Sequence, residues 1–196
     1  MSRWGIVALA ALTAVGTACS PGSADDVAAG DETATTTTRT PRITDDSGRP
    51  PVTFDPCYDI PDDLMNAAGY DATKKELADM PMGTYTFLGC TYRDRNKVPG
   101  VRRGYSLNIL AGNVSLTEEL DNNRHIATTL TINDRRALLE IDTNRNNTCK
   151  YVLETEFGIV MFTRILHTER PGHALVEEWC ADFEELVAAV DRQILS

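Results

Sequence analysis

Few residues in this 196-residue chain have the type and spacing for chemistry, and five of them are cysteines. Cys19 comes first. It follows the small residues Thr17-Ala18 at the end of an apolar run from Ile6 to Val15, with Arg3 upstream. That run is short of the ~20 residues a spanning helix needs, and its basic, apolar and small-residue zones are those of an export signal. A cysteine directly after the small residues is the acceptor expected in a bacterial lipoprotein signal. Cleavage before Cys19 would make it the acylated first residue of the mature chain. Gly16 stands at the third position before the cysteine, where Leu or Val is common. The alternative is an ordinary signal peptide cut near Ala18, with Cys19 left as an odd thiol.

Cys57, Cys90, Cys149 and Cys180 remain, and an even set in an exported chain predicts disulfides. Three pairings are open. Cys57–Cys90 with Cys149–Cys180 is preferred, because the first ties the start of an early helix to a strand and the second pins a late strand to the last helix. Each closes a loop of about thirty residues, contributing on the order of 3–4 kcal/mol in the chain-entropy model. A redox or metal role is disfavoured, since no C-x-x-C is present and no histidine lies at ligand spacing from a cysteine.

Other chemistry is sparse. Ser106, Ser115 and Ser196 are the serines of the expected folded body, and none sits in a G-x-S-x-G elbow. His125, His167 and His173 form no H-E-x-x-H motif. His167 and His173 bracket a loop that holds Glu169, and solvated loop histidines are expected there rather than zinc. Glu118-Glu119, Glu177-Glu178 and Glu184-Glu185 are adjacent pairs, which do not face one another on a helix. No catalytic residue, metal or cofactor is expected. One basic cluster stands out: Arg93, Arg95, Lys97, Arg102 and Arg103 against a single acid, Asp94. It offers a patch for an anionic partner, though a solvated hairpin loop that protects a sheet edge is the preferred reading.

The elements that must position these residues are legible in the pattern. Pro61 followed by Asp62 and Asp63 opens a short helix that Gly69 stops. Thr84 to Tyr92 and Tyr105 to Leu110 read as paired strands, and Ser115-Leu116-Thr117-Glu118 is a capping box. Ile126, Thr128, Leu130 and Ile132 alternate, as do Ala137, Leu139 and Ile141, with Asn133-Asp134 as the turn between them. Cys149 to Leu153 and Ile159 to Leu166 form a second hairpin. Val176, Trp179, Phe183, Leu186, Val187, Val190 and Ile194 recur at helical spacing and predict one long amphipathic C-terminal helix. The expected fold class is α+β: an antiparallel sheet of about six strands packed by a short N-terminal helix and the long C-terminal one.

Three segments follow: a signal at 1–18, a tether at 19–52 and a single domain at 53–196. The tether is rich in Thr, Pro and Asp, too poor in apolar surface to fold, and the run Thr35 to Thr38 suits O-glycosylation. The sequons at Asn113 and Asn146 are expected to be silent. A formal net charge of −10 argues against nucleic acid, and 42% hydrophobic residues suffice for a core.

Asp55-Pro56-Cys57 before a short helix, Gly89-Cys90 with an aromatic at Tyr92, Arg136-Ala137 at a strand start and a later cysteine pair occur in a fixed order. In that order, and in signal and tether, the chain resembles DUF3558, a family of actinobacterial lipoproteins of unknown function. Tyr92 stands where Trp is frequent, and Ile60-Pro61 where a Thr or Ser cap is usual. The resemblance implies the fold and the location, and brings no catalytic residues. The chain is therefore expected to be a non-enzymatic, lipid-anchored binding module on the extracytoplasmic face of the cell membrane. Its partner would be an envelope protein or glycan. A carrier for a lipid or other apolar molecule is the alternative, with Tyr85, Phe87, Phe157, Met161, Phe162, Trp179 and Phe183 lining a cavity or filling a plain core. An enzyme without a recognisable motif is the third reading.

Overall fold

A computed structural model of the chain describes residues 47–95, 104–144, 147–167 and 175–194. All belong to the compact unit Thr40–Ser196. Cys19, the tether up to residue 46, Lys97, Arg102, Arg103, Glu169 and His173 lie outside the described residues.

The framework is one antiparallel sheet of eight strands: β1 (Glu76–Leu77), β2 (Met80–Met82), β3 (Tyr85–Arg93), β4 (Gly104–Gly112), β5 (Ala127–Ile132), β6 (Arg135–Glu140), β7 (Thr148–Thr155) and β8 (Gly158–His167). Their order is β1-β3-β4-β8-β7-β6-β5, with β2 also paired to β3. Two more strands are present than the sequence pattern predicts. β1 and β2 are too short to alternate, and Pro81 interrupts the second. A proline without an N–H is tolerated there because the strand lies at an edge. The β1–β2 connection also explains the Gly-Cys motif. A side chain at Gly89 would run into the carbonyl of Ala78, whose N–H donates to Gly89 O at 2.9 Å.

Among the described residues four α-helices and one short 3-10 turn (Ala72–Lys74) accompany the sheet: α1 (Asp62–Ala67), α2 (Leu116–Asn123), α3 (Val176–Cys180) and α4 (Phe183–Asp191). Pro61 is the N-cap of α1, Asp62 and Asp63 fill its first turn, and Gly69 takes φ +91° just beyond it. Ser115 and Glu118 close the capping box of α2 in both directions. Asn133 and Asp134 turn the β5–β6 hairpin at positive φ, the left-handed conformation that a two-residue turn requires.

The expected long C-terminal helix is two helices. Ala181 leaves helical geometry and Asp182 adopts φ 56°. Two forces break it: Cys180 is bonded to β7 through Cys149, and the carbonyls of Trp179 and Ala181 turn to accept from Arg164. Both cysteine pairs stand at bonding distance in the expected connectivity, Cys57–Cys90 with Cα atoms 4.9 Å apart and Cys149–Cys180 with 5.4 Å.

Strand register divides the buried residues between two clusters. Cys90, Tyr92, Leu107, Ile109, Tyr151, Leu153 and Phe162 share one with Ile60, Met65, Trp179, Phe183, Leu186, Val187 and Val190. The smaller cluster gathers Phe87, Leu138, Val152, Ile159 and Met161 with Val114 and Leu116. Tyr151 and Phe183 meet edge to face at 5.6 Å between ring centroids, a favoured aromatic geometry.

Candidate functional site

The strand Ile159 to Leu166 places even-numbered side chains toward the larger cluster, and position 164 in that series is arginine. Arg164 pairs in register with Leu107 on β4 and Cys149 on β7, and only 6% of its surface is exposed. Its Nε and Nη2 donate to Trp179 O at 2.9 and 2.7 Å, and Nη2 donates to Ala181 O at 2.6 Å. The guanidinium carbon lies 4.7 Å from the Tyr105 ring centroid and 4.4 Å from that of Phe183. The buried cation is thus satisfied by carbonyl dipoles and aromatic faces.

Arg164 forms the floor of a cleft of about 620 Å³. Leu64, Ala67, Ala68 and Gly69 at the end of α1 make one wall, and Leu186 and Ala189 of α4 make the other. Tyr70 and Tyr105 add aromatic surface, while Asp94, Asp182 and Glu185 bring carboxylates to the lining. Burial pushes the Tyr70 hydroxyl up to about 12, against the opposing pull of the Arg164 charge and hydrogen bond. It stays protonated at neutral pH and shares a hydrogen bond with Arg164. Tyr105 donates its hydroxyl to Glu178 O at 3.2 Å. The lining contains no serine, cysteine or histidine. Its equipment is apolar, aromatic and ionic, as in a binding cleft.

The stem of the basic loop borders this cleft. Asp71 N–H donates to Arg93 O at 2.8 Å, Asp94 N–H to Tyr105 O at 2.9 Å and Arg95 N–H to Gly69 O at 2.9 Å. Arg93 and Arg95 are exposed, and Arg93 pairs with Glu76 at 3.3 Å. The described part of the patch therefore has one of its charges engaged within the domain.

The other candidates are dispersed. Ser106 Oγ lies 2.8 Å from His167 Nε2, a pair that cross-strand register produces and sequence spacing conceals. The pair is exposed, and among the described residues no carboxylate bonds His167. His125 is exposed beyond α2. Tyr151 donates to Glu184 at 3.3 Å, and burial pushes its hydroxyl up to about 12. Among the described residues no group of three or more His, Cys, Asp or Glu could hold a metal ion.

Two polar assemblies escape the sequence pattern. Arg49 donates to both Glu118 carboxylate oxygens at 3.1 and 2.9 Å and to Asn113 O at 3.2 Å, and lies 4.3 Å from the Tyr85 ring centroid. Its hydrogen bond, with those from Ser115, lowers Glu118 to about 2. On the same face of the sheet, Lys150 pairs with Glu119 of α2 and, at 2.9 Å, with Glu140 of β6. Burial raises Glu140, with Lys150 opposing the shift; burial also presses Lys150 down, but the two carboxylates outweigh it and hold the ammonium above its usual range. A lysine within an alternating strand, as Lys150 is within β7, gives no local sign of such partners. Arg164 did leave a sign: a charged residue at inward parity in an apolar strand.

A family model described as "Protein of unknown function (DUF3558)" matches residues 14–192. No curated protein and no solved structure matches the chain. The chain belongs to the DUF3558 family, the one indicated by its order of DPC, Gly-Cys-x-aromatic and Arg-Ala motifs.

Proposed function

We propose that this DUF3558 member is a cell-envelope lipoprotein that works as a non-enzymatic binding module, anchored at Cys19 and recognising its partner through the α1–α4 cleft. The cleft carries this reading. It combines apolar helix walls, two tyrosines and three carboxylates around the Arg164 guanidinium. Such a lining suits a protein segment that brings a basic side chain beside an apolar one. The net charge of −10 favours the same partner class at long range. Arg95, exposed and bonded through its N–H to Gly69 of the cleft lining, would add a contact to an acidic residue of that partner.

The carrier reading has less support. Phe157, Phe162, Trp179 and Phe183 belong to the larger buried cluster, Phe87 and Met161 to the smaller, and Tyr85 packs against the latter. None of them lines the cleft. Anchoring is supported by the signal pattern that ends at Cys19.

A photo-crosslinking residue placed at Ala189, in native membranes, tests the proposal against the same residue at Glu156 in the β7–β8 turn. A discrete partner adduct from Ala189 alone is expected. Equal labelling from both positions, or none from Ala189, would overturn it.

A further inference from the structure

The two edges of the sheet are built differently. At the β3 edge the outer strands are short, β1 with two residues and β2 with three, and they carry Glu76 and Pro81. Such features block edge-to-edge pairing. At the other edge stands β5, six residues reading Ala-Thr-Thr-Leu-Thr-Ile, with no charge and no proline. Among the described residues β5 pairs with β6 alone. Ile132 opposes Arg135 across the two-residue turn, so Ile132, Leu130 and Thr128 direct their backbone groups to β6. Ala127, Thr129 and Thr131 direct theirs outward.

We infer that β5 is a self-pairing edge, and that two copies of this chain associate by antiparallel β5–β5 addition about a two-fold axis through Thr129. The strand is its own complement in that register. Thr129 falls opposite Thr129 of the second copy and Ala127 opposite Thr131, so every outward N–H meets an outward C=O. The alternation is kept as well: Thr128 meets Leu130, and Ile126 meets Ile132, on the face that bears the larger core. On the opposite face, Thr129 and Thr131 border a groove of about 240 Å³ against Leu116 and Leu120 of α2, where threonine methyls of the second copy would pack. No like charges meet along the strand, so the net charge does not oppose the contact locally. A single edge strand is less than the ~800 Å² per partner of a stable soluble interface. The association is accordingly one that concentration at a membrane surface would favour. It is independent of the α1–α4 cleft, which β5 does not line.

The test uses single cysteine variants of the full-length protein in its own membrane. Residues directly opposite in a hydrogen-bonded antiparallel pair have Cα atoms ~5.5 Å apart, within disulfide range. Thr129→Cys should therefore run at twice the monomer mass without reductant. Thr131→Cys should stay monomeric alone but link to Ala127→Cys when the two are coexpressed. Glu156→Cys is the collision control. The inference is overturned if Thr129→Cys remains monomeric, if Glu156→Cys dimerises equally, or if Thr129→Cys joins a different protein. Thr129 is exposed, and an unchanged far-ultraviolet circular dichroism spectrum checks that the variants fold.

Discussion

Replacing Arg164 by methionine is the perturbation with the most to say about this fold. The apolar chain keeps roughly the length of the side chain but removes every donor. The carbonyls of Trp179 and Ala181, bonded at 2.6–2.9 Å in the native protein, lose those bonds, at about 1–3 kcal/mol each. Stacking on Tyr105 and Phe183 is lost at about 1–2 kcal/mol. Against this, a charge that is 6% exposed no longer has to be desolvated, which returns several kcal/mol. The balance is a loss of about 2–4 kcal/mol, within the usual cost of breaking a buried network. Urea unfolding with unchanged slope measures it. Arg164→Lys should fall between the two, because an ammonium cannot reproduce the guanidinium fork. Hydrogen exchange should quicken first at Ala181 to Phe183, where the helix break depends on those bonds. Equal midpoints for the wild type and Arg164→Met would refute the reasoning.

Other outcomes follow from the same physics. Removing the disulfide by Cys149→Ala with Cys180→Ala should cost about 2–5 kcal/mol and loosen residues 175–194 before the sheet, read by hydrogen exchange. Lys150→Met leaves Glu119 and Glu140 without their cation, and a loss of about 3–5 kcal/mol in denaturant unfolding is expected; adding Glu140→Leu should restore part of it. The Arg49 hydrogen bond and those from Ser115 hold Glu118 at about 2 in the folded protein, against an ordinary 4.5. Its contribution is therefore fully present above pH 4.5 and is lost as pH falls toward 2. The carboxylate is partly exposed (36%), so the contribution is at most about 1 kcal/mol after solvent screening. Arg49→Ala should flatten that acid limb in a pH series of unfolding midpoints.

Much of the fold was legible because local rules and tertiary structure agree. The capping box at Ser115, the Asn133-Asp134 hairpin and the proline start of α1 each depend on residues within one turn. The disulfide pairing followed from the order of elements. What stayed hidden depends on partners distant in sequence. Arg164 shows itself as a charge at inward parity, but what satisfies it is hidden until the carbonyls fifteen and seventeen residues later are in place. The helical stripe from Val176 to Ile194 is continuous in sequence, yet the disulfide and Arg164 break it at Asp182. β1 and β2 hold their conformation by pairing with β3 and show no alternation of their own. The cleft was equally invisible, since α1, Asp94 just after β3, β4, β8 and α4 meet there from distant parts of the sequence. Of the basic patch, only Arg93 and Arg95 fall among the described residues.

Anchoring at Cys19 is the claim on which the functional proposal depends most. The direct measurement is the intact mass of the protein from its own membrane, beside a Cys19→Ala variant. The expected mass is that of a chain cleaved before Cys19, carrying acyl groups and lacking the four hydrogens lost to two disulfides. Cys19→Ala should then lose membrane retention. An unacylated protein released to the medium, whether Cys19 is present or not, would contradict it.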